Sequence, residues 1–440
     1  MSRVALLAVM LAACTSGGDD RADFQSLRYD DGAAPADLSN RYGDDATAAA
    51  LGQKLFFDTR FSGRLLDPDN GALAGSLGPV GTPGLVSCAS CHVAADGFVD
   101  TRSPGKQISL ASQWTHRKAP TLLESAHVAM FNWDGQRDSM WRQSIGVFES
   151  FGEANSGRLF VAEQVFKFYR ADYETIFGAL PPLDDTTRFP AITPELTGCA
   201  SAAMSTTQQY ICHGLPGDGA EYDGLAADDQ VAITRVMVNM AKAIAAYQRL
   251  LRCGSGSFDK WIDGDDAALT ATEKRGAALF VGKAQCAGCH AGPNLTDNQF
   301  HNVGLAPKHV AQAFVDDNDG GAEVGLAAAL ADPLNVKSVF SDGDDGRHEA
   351  LMPLPTTGAF RTPSLRCAAN HPSFMHTGQL RTVAETVEFF NRGGDPSGPY
   401  PGVSELVALG LTDDEQADLT AFLSTLQGPG PDAALLADTH

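Results

Sequence analysis

Apolar residues recur at helical spacing in five stretches of this chain, and no stretch alternates convincingly as a strand would. The spacing predicts helices over Ala46–Phe57, Leu159–Ile176, Gln230–Leu251, Thr270–Val281 and Leu411–Leu426. Two of these carry start signals. Thr270-Ala271-Thr272-Glu273 has the form of a capping box, and Thr412 is placed to cap the last helix, which Gly428 follows. The stretch 180–228 is rich in Pro, Asp, Gly and Thr and reads as an inserted loop, and 307–358 is similarly irregular. The pattern predicts a mostly α fold with long irregular loops.

The N-terminus has a different pattern. An apolar run from Val4 to Leu11 ends in Leu11-Ala12-Ala13-Cys14, followed by small polar residues. This reads as a signal peptide over 1–14 ending at a lipobox, with Cys14 as the lipidated residue; an ordinary signal peptide with a chance cysteine is the alternative. Residues 15–45 are rich in Gly, Asp and Ala and read as a flexible tether. No later run is long and apolar enough to cross a bilayer. The expected location faces the periplasm, with the lipid on Cys14 as the only membrane contact.

Two motifs carry the chemistry: Cys88-Ala89-Ser90-Cys91-His92 and Cys286-Ala287-Gly288-Cys289-His290. Each is the attachment signature of a c-type haem, with two thioether bonds to the cysteines and the histidine as axial iron ligand. Two covalently bound haems are expected, with His92 and His290 on the irons. A thioredoxin-type pair would not need the histidines, and a zinc site would need further ligands. Two haems call for two wrappings, so the chain divides into 46–255, with the insertion at 180–228, and 256–427, before a tail at 428–440. Four cysteines on haem and Cys14 on lipid leave Cys199, Cys212, Cys253 and Cys367 of the nine. They allow three pairings. The short polar loop between Cys199 and Cys212 favours that pair, which leaves Cys253 with Cys367; unpaired buried thiols are the alternative.

Acidic residues outnumber basic ones by 54 to 32, for a net charge of −22, which argues against nucleic-acid binding. The runs at 263–266, 316–319, 342–345 and 413–415 read first as solvated surface, and secondly as a field that steers a basic redox partner. Whether an iron carries electrons or binds substrate depends on its second axial position. Between His92 and Arg117 the only His or Met is His116, so the first iron is expected to be open, unless Met130 or His127 reaches it. Splitting peroxide there needs a proton-transferring group, and a carboxylate in a desolvated pocket can serve. Glu149 and Glu153 lie one helical turn apart in spacing; taken alone, each reads as a surface acid.

Further runs are Leu51-Gly52-Gln53-Lys54-Leu55-Phe56-Phe57-Asp58, Arg117-Lys118-Ala119-Pro120-Thr121-Leu122, Asn132-Trp133-Asp134-Gly135, Arg361-Thr362-Pro363-Ser364-Leu365-Arg366 and Phe374-Met375-His376-Thr377-Gly378. With the two haem motifs, they make the chain resemble the bacterial di-haem cytochrome c peroxidase family, including its MauG-like branch, from about Leu51 to Leu426. The resemblance implies two cytochrome c-like domains with haems facing a common interface. It implies a cytochrome-c peroxidase type oxidoreductase. Hydrogen peroxide is reduced through a ferryl haem in the first domain, and the second haem takes electrons from a small cytochrome or cupredoxin. A homodimer is compatible with it. Aligned from the Trp-Asp-Gly anchor, the peroxidatic glutamate falls on Glu153, the pocket glutamine on Gln143 and the electron-relaying tryptophan on Trp133. MauG-like oxidation of a partner protein's residues, or plain di-haem electron transfer, are the alternatives.

The chain departs from the family pattern in three places. Ser109-Leu110-Ala111-Ser112 stands where many members carry a removable distal histidine, so the first haem should be open, as in the MauG-like branch. Lys118 stands where the family has the asparagine whose carbonyl ligates calcium, which puts calcium in doubt and offers an ammonium in its place. Phe390, with no donor atom, stands where the second haem's Met or Tyr ligand is expected. The sulfur and nitrogen donors left in the later half of the second domain are His348, Met352, His371, Met375 and His376.

Overall fold

The computed structural model describes residues 20–103, 108–201, 210–309, 315–350 and 356–440. The expected signal peptide, Cys14 and Met352 lie outside these residues. The described chain is helix-rich: α1 (Ala46–Phe57), α2 (Cys88–Cys91), α3 (Met140–Glu149), α4 (Arg158–Phe168), α5 (Arg170–Phe177), α6 (Ala227–Gln248), α7 (Ser257–Ile262), α8 (Ala271–Val281), α9 (Ala322–Ala331), α10 (Arg347–Ala350), α11 (Val383–Asn391) and α12 (Asp413–Ser424). Strands are few and short: β1 (Gly198–Ser201) pairs antiparallel with β2 (Tyr210–His213), and β3 (Phe300–His301) with β4 (Phe360–Arg361). No helix among the described residues is long and apolar enough to cross a membrane.

One packing device occurs in both halves. The helix leading to each Cys-x-x-Cys-His motif crosses a later helix through a glycine. A Cβ on Gly52 of α1 would lie 1.9 Å from the Ala243 carbonyl oxygen of α6, and one on Gly276 of α8 would lie 2.1 Å from the Asp418 carbonyl oxygen of α12. Four residues on, and so on the same helix face, Phe56 and Phe280 are fully buried. The helix starts are capped as their sequences suggest. The Thr270 and Thr412 side chains accept from the backbone N–H of Glu273 and Glu415, each in a capping box. Two apolar clusters result. The larger holds α1, α3, α4 and α6; the smaller holds α7, α8 and α12.

Several elements differ from the sequence pattern. Expected as part of a tether, residues 20–45 instead lie against the folded body. Phe24 packs edge-on to Phe258 and Trp261 at 5.9 and 5.3 Å, Leu27 is buried, and the Tyr29 hydroxyl donates to Glu124 at 2.5 Å. Three large apolar side chains within a short span outweigh the surrounding Gly and Asp. The helix expected over 159–176 breaks at Tyr169, whose hydroxyl is drawn to Asp58 at 2.8 Å. The 307–358 stretch contains α9 and α10; α9 is apolar but for Glu323 in its first turn and shows no stripe. Helices α3 and α11 form without having been anticipated. Strands β1 and β2 form inside the insertion, where Cys199 stands opposite Cys212 and is bonded to it. The second disulfide joins Cys253 to Cys367.

Because backbone lies directly beneath Gly276, no side-chain rotation can make room for a methyl group there. Gly276→Ala should lower the unfolding free energy by about 1–3 kcal/mol. Chemical denaturation checks it, and an unchanged midpoint would show that the two helices separate without cost.

Candidate haem centres

The two motifs are built alike. Cys88–Cys91 form the single turn α2, with the Ser87 N–H donating to the Ser90 hydroxyl at 3.0 Å. After the turn, the His92 Nδ1–H donates to the Phe98 carbonyl at 3.0 Å and the His290 Nδ1–H to the Leu295 carbonyl at 2.9 Å. Each bond leaves the Nε2 lone pair as the free donor, the tautomer an iron ligand needs. Burial pushes both imidazole pKa values down, which keeps them neutral. The two accepting residues share left-handed backbone, with φ 60° at Phe98 and 51° at Leu295, an unusual conformation for bulky side chains. Both side chains are fully buried, which holds the backbone there.

The four motif cysteines form no disulfide. Burial pushes Cys88, Cys91 and Cys286 up to about 12, unlike the lowered thiol of a redox pair. Among the described residues, one group of three potential metal ligands comes together, Cys289, Asp297 and His301, with ligand atoms within 4.8 Å. It uses a motif cysteine and so competes with the haem reading there. Two thiols plus one pinned, neutral histidine, twice over, is a donor set that fits covalently held haem.

Glu153 lies beside the first motif. It follows the end of α3, with its N–H on the Ser150 carbonyl at 3.1 Å and its carbonyl accepting from Ser112 N–H at 3.1 Å. Its charge acts on both the Cys88 and Cys91 thiols. Burial raises its own pKa, against the opposing Ser150 hydrogen bond and Arg137 charge. Glu149, the last residue of α3, is neither a helix-face partner of Glu153 nor a free surface acid. It pairs with Arg158 at 2.7 Å, which also donates to Thr234. Gln143 is half-buried on α3, and no hydrogen bond joins it to Glu153 among the described residues. The stretch 109–112 reaches this same place through the Ser112 N–H on the Glu153 carbonyl, and Ser109, Leu110 and Ala111 are buried. His116 is exposed, His127 lies 3.6 Å from Glu124, and Met130 is buried.

Trp133 is stitched to both halves. Its indole N–H donates to the Lys118 carbonyl at 2.8 Å, and its carbonyl accepts from Arg361 N–H at 2.8 Å. Lys118 N–H donates to the His376 carbonyl at 2.7 Å, and its buried ammonium donates to the Ser373 carbonyl. Burial, then the nearby Arg381 charge, lowers Lys118 to about 8. Arg117 spans Asp134 at 2.6 Å and Asp319 at 2.6 Å. The His376 ring stacks on Phe360 at 3.6 Å, and its Nε2 is sealed without a partner. Of the other donors considered for the second iron, His348 is held by Asp138 at 2.7 Å. Met375 packs in one apolar cluster with Phe390 and Tyr400. Arg137 and Arg361 belong to this region but were not singled out as site residues. Their signal lay in the motifs themselves, four residues after Trp133 and at the head of Arg-Thr-Pro.

Residues 46–267 match the family model described as di-haem cytochrome c peroxidase. The chain is 29% identical to cytochrome-c peroxidase IdrP1 of Denitromonas iodatirespirans over 402 residues, covering 88% of this chain and 83% of that protein. It is 26% identical to the methylamine utilization protein MauG of Methylorubrum extorquens over 383 residues, covering 86% and 77%. The solved diheme peroxidase BthA of Burkholderia thailandensis shares the fold, with a TM-score of 0.59 at 21% identity, covering 88% of this chain and 87% of that one.

The buried Lys118 sets a pH signature. The unfolded chain holds this proton up to about 10.5, whereas the folded chain releases it near 8. Between those values the unfolded state binds more protons, so stability should rise with pH. Relative to Lys118→Met, wild type should gain up to about 3 kcal/mol across that window, measured by denaturant titration. Parallel pH profiles for the two proteins would contradict it.

Proposed function

The chain belongs to the di-haem cytochrome c peroxidase family, and from that premise we propose that it reduces hydrogen peroxide to two waters, using two protons and two electrons from a small cytochrome or cupredoxin. The observation that carries this reading is Glu153, a carboxyl raised by burial and placed beside the Cys88 and Cys91 thiols. In this reading Cys88, Cys91 and His92 hold the haem of a peroxidatic domain, about 46–255. Cys286, Cys289 and His290 hold that of an electron-accepting domain, about 256–427. Haem bound at His92 would supply the redox chemistry that splits the O–O bond.

The chain's own groups do the rest. Glu153 would take a proton from one peroxide oxygen and return it to the other, which leaves as water; a raised pKa suits both steps. Gln143 offers an amide to orient the oxygens. Leu110 and Ala111 keep bulk water away, and no histidine stands in 109–112 to block the site. Trp133, hydrogen-bonded to Lys118 and Arg361, carries electrons between the centres. The Lys118 carbonyl is committed to Trp133 and its ammonium to Ser373, which supports a calcium-independent interface. The net charge of −22 suits a basic electron donor. We place the protein facing the periplasm, lipid-anchored through Cys14. The histidine-free stretch at 109–112 equally favours a second reading, MauG-like oxidation of residues on a partner protein. Steady-state peroxide turnover with a panel of reduced cytochromes and cupredoxins separates the two readings.

Glu153→Gln should keep both haems and their resting spectra yet lose roughly 10²–10⁴-fold in peroxide turnover. Glu149→Gln should keep its turnover per folded molecule and lose stability instead, because Arg158 gives up its charged partner. Equal turnover in wild type and Glu153→Gln would remove Glu153 from the mechanism.

Dialysis against a calcium chelator should leave turnover intact, whereas Lys118→Ala should slow interhaem electron transfer in stopped-flow traces. Activity that collapses on chelation and returns with calcium would overturn the role given to Lys118.

A further inference from the structure

Arg361 is a buried cation without an anion. It is 7% exposed, and its guanidinium contacts are Nε to the Asn132 carbonyl and Nη1 to the Thr362 carbonyl, both at 3.5 Å. That distance is the outer limit of a hydrogen bond. Among the described residues no carboxylate pairs with it. The contrast with its neighbours is plain. Arg117 has Asp134 and Asp319, Arg142 has Asp332, Arg158 has Glu149, and the fully buried Arg366 has Asp259. Burial alone acts on the Arg361 guanidinium, bringing it to about 10, so it stays charged at neutral pH. Desolvating a cation with no counter-charge is costly, and buried charges in folded proteins are paired.

Its place in the fold indicates which anion completes it. The adjoining Thr362 carbonyl accepts from the Thr296 hydroxyl at 2.7 Å. Thr296 follows Leu295, whose carbonyl clamps His290. Arg361 therefore stands beside the proximal loop of the second motif, while its N–H holds the Trp133 carbonyl. A haem carries two carboxylates on its rim, and a haem held at Cys286, Cys289 and His290 would need cations to face them. We propose that Arg361 is the counter-ion of a carboxylate of the second haem, an inference that rests on the di-haem reading. The pairing satisfies the guanidinium, keeps that carboxylate ionised, and places a fixed positive charge beside the haem and next to the Trp133 segment. A cation there favours the reduced iron, because local charge and hydrogen bonding tune haem potentials.

The test is a spectroelectrochemical titration of both haems in the full-length holoprotein, for wild type, Arg361→Lys and Arg361→Leu, with haem content measured first. Two haems per chain are expected in all three; fewer than two in wild type would end the di-haem reading itself. In Arg361→Leu the second haem's reduction equilibrium should fall about tenfold, about 59 mV for one electron. Its potential should also become pH-dependent as the released carboxylate takes up a proton. Arg361→Lys should stay within about twofold of wild type, and the first haem should not move. An unshifted second haem in Arg361→Leu with both haems present overturns the assignment, as does a shift confined to the first haem. Should Arg361→Leu fail to mature, Arg361→Gln, which keeps a polar side chain of similar reach without the charge, takes its place against wild type, and an unshifted second haem in it overturns the proposal.

Discussion

The site depends on two strained carbonyls. Phe98 and Leu295 hold left-handed backbone so that their carbonyl oxygens meet the Nδ1–H groups of His92 and His290. Such a conformation costs of order 1–3 kcal/mol per residue and persists only where packing over-determines it. Here the packing is the full burial of the Phe98 and Leu295 side chains. Helix crossing, loop closure and ligand orientation therefore form one chain of dependence in each half. The glycine crossing sets the helix, the helix sets the turn, and the buried apolar residue past the turn sets the histidine. One solution recurring in both halves of the sequence is best explained by a shared physical demand, a rigid imidazole with one nitrogen committed and the other free.

Between the halves the demand differs. The contacts there are charged and largely desolvated: Arg117, held within its own half by Asp134, on Asp319, and Lys118 on the Ser373 carbonyl. Such contacts are directional and hold a relative orientation more tightly than apolar packing would. Trp133 sits in this frame with both its indole N–H and its carbonyl committed, so its ring position is set from both sides.

Much of this was legible before any coordinates. The helices around Ala46, Thr270 and Leu411 followed from apolar spacing and caps. The Cys199–Cys212 bond followed from the short loop between them. Glu153 was picked out by the family resemblance alone; by pattern it read as a surface acid, whereas burial raises its carboxyl. The misses have separate causes. Composition hid Phe24, Leu27 and Tyr29 among Gly and Asp. Helix α9 lacks a polar face, so periodicity could not find it. Glu149 carries an acid in sequence but not the Arg158 that engages it, and Arg361 shows a cation but not the missing anion. Partnership across long separations is invisible to local pattern. The Gly52–Phe56 and Gly276–Phe280 pairs were readable in principle, since the same four-residue spacing precedes both haem motifs.

The Cys253–Cys367 bond closes a covalent ring across 114 positions, and that ring contains α7, α8, α9, α10 and the whole second motif. A single backbone cut anywhere inside it would leave one molecule, not two. Loops within the ring can thus be nicked by a protease without the second motif being lost to solution. Under reducing conditions that tolerance would vanish, and the same nick would become a release event.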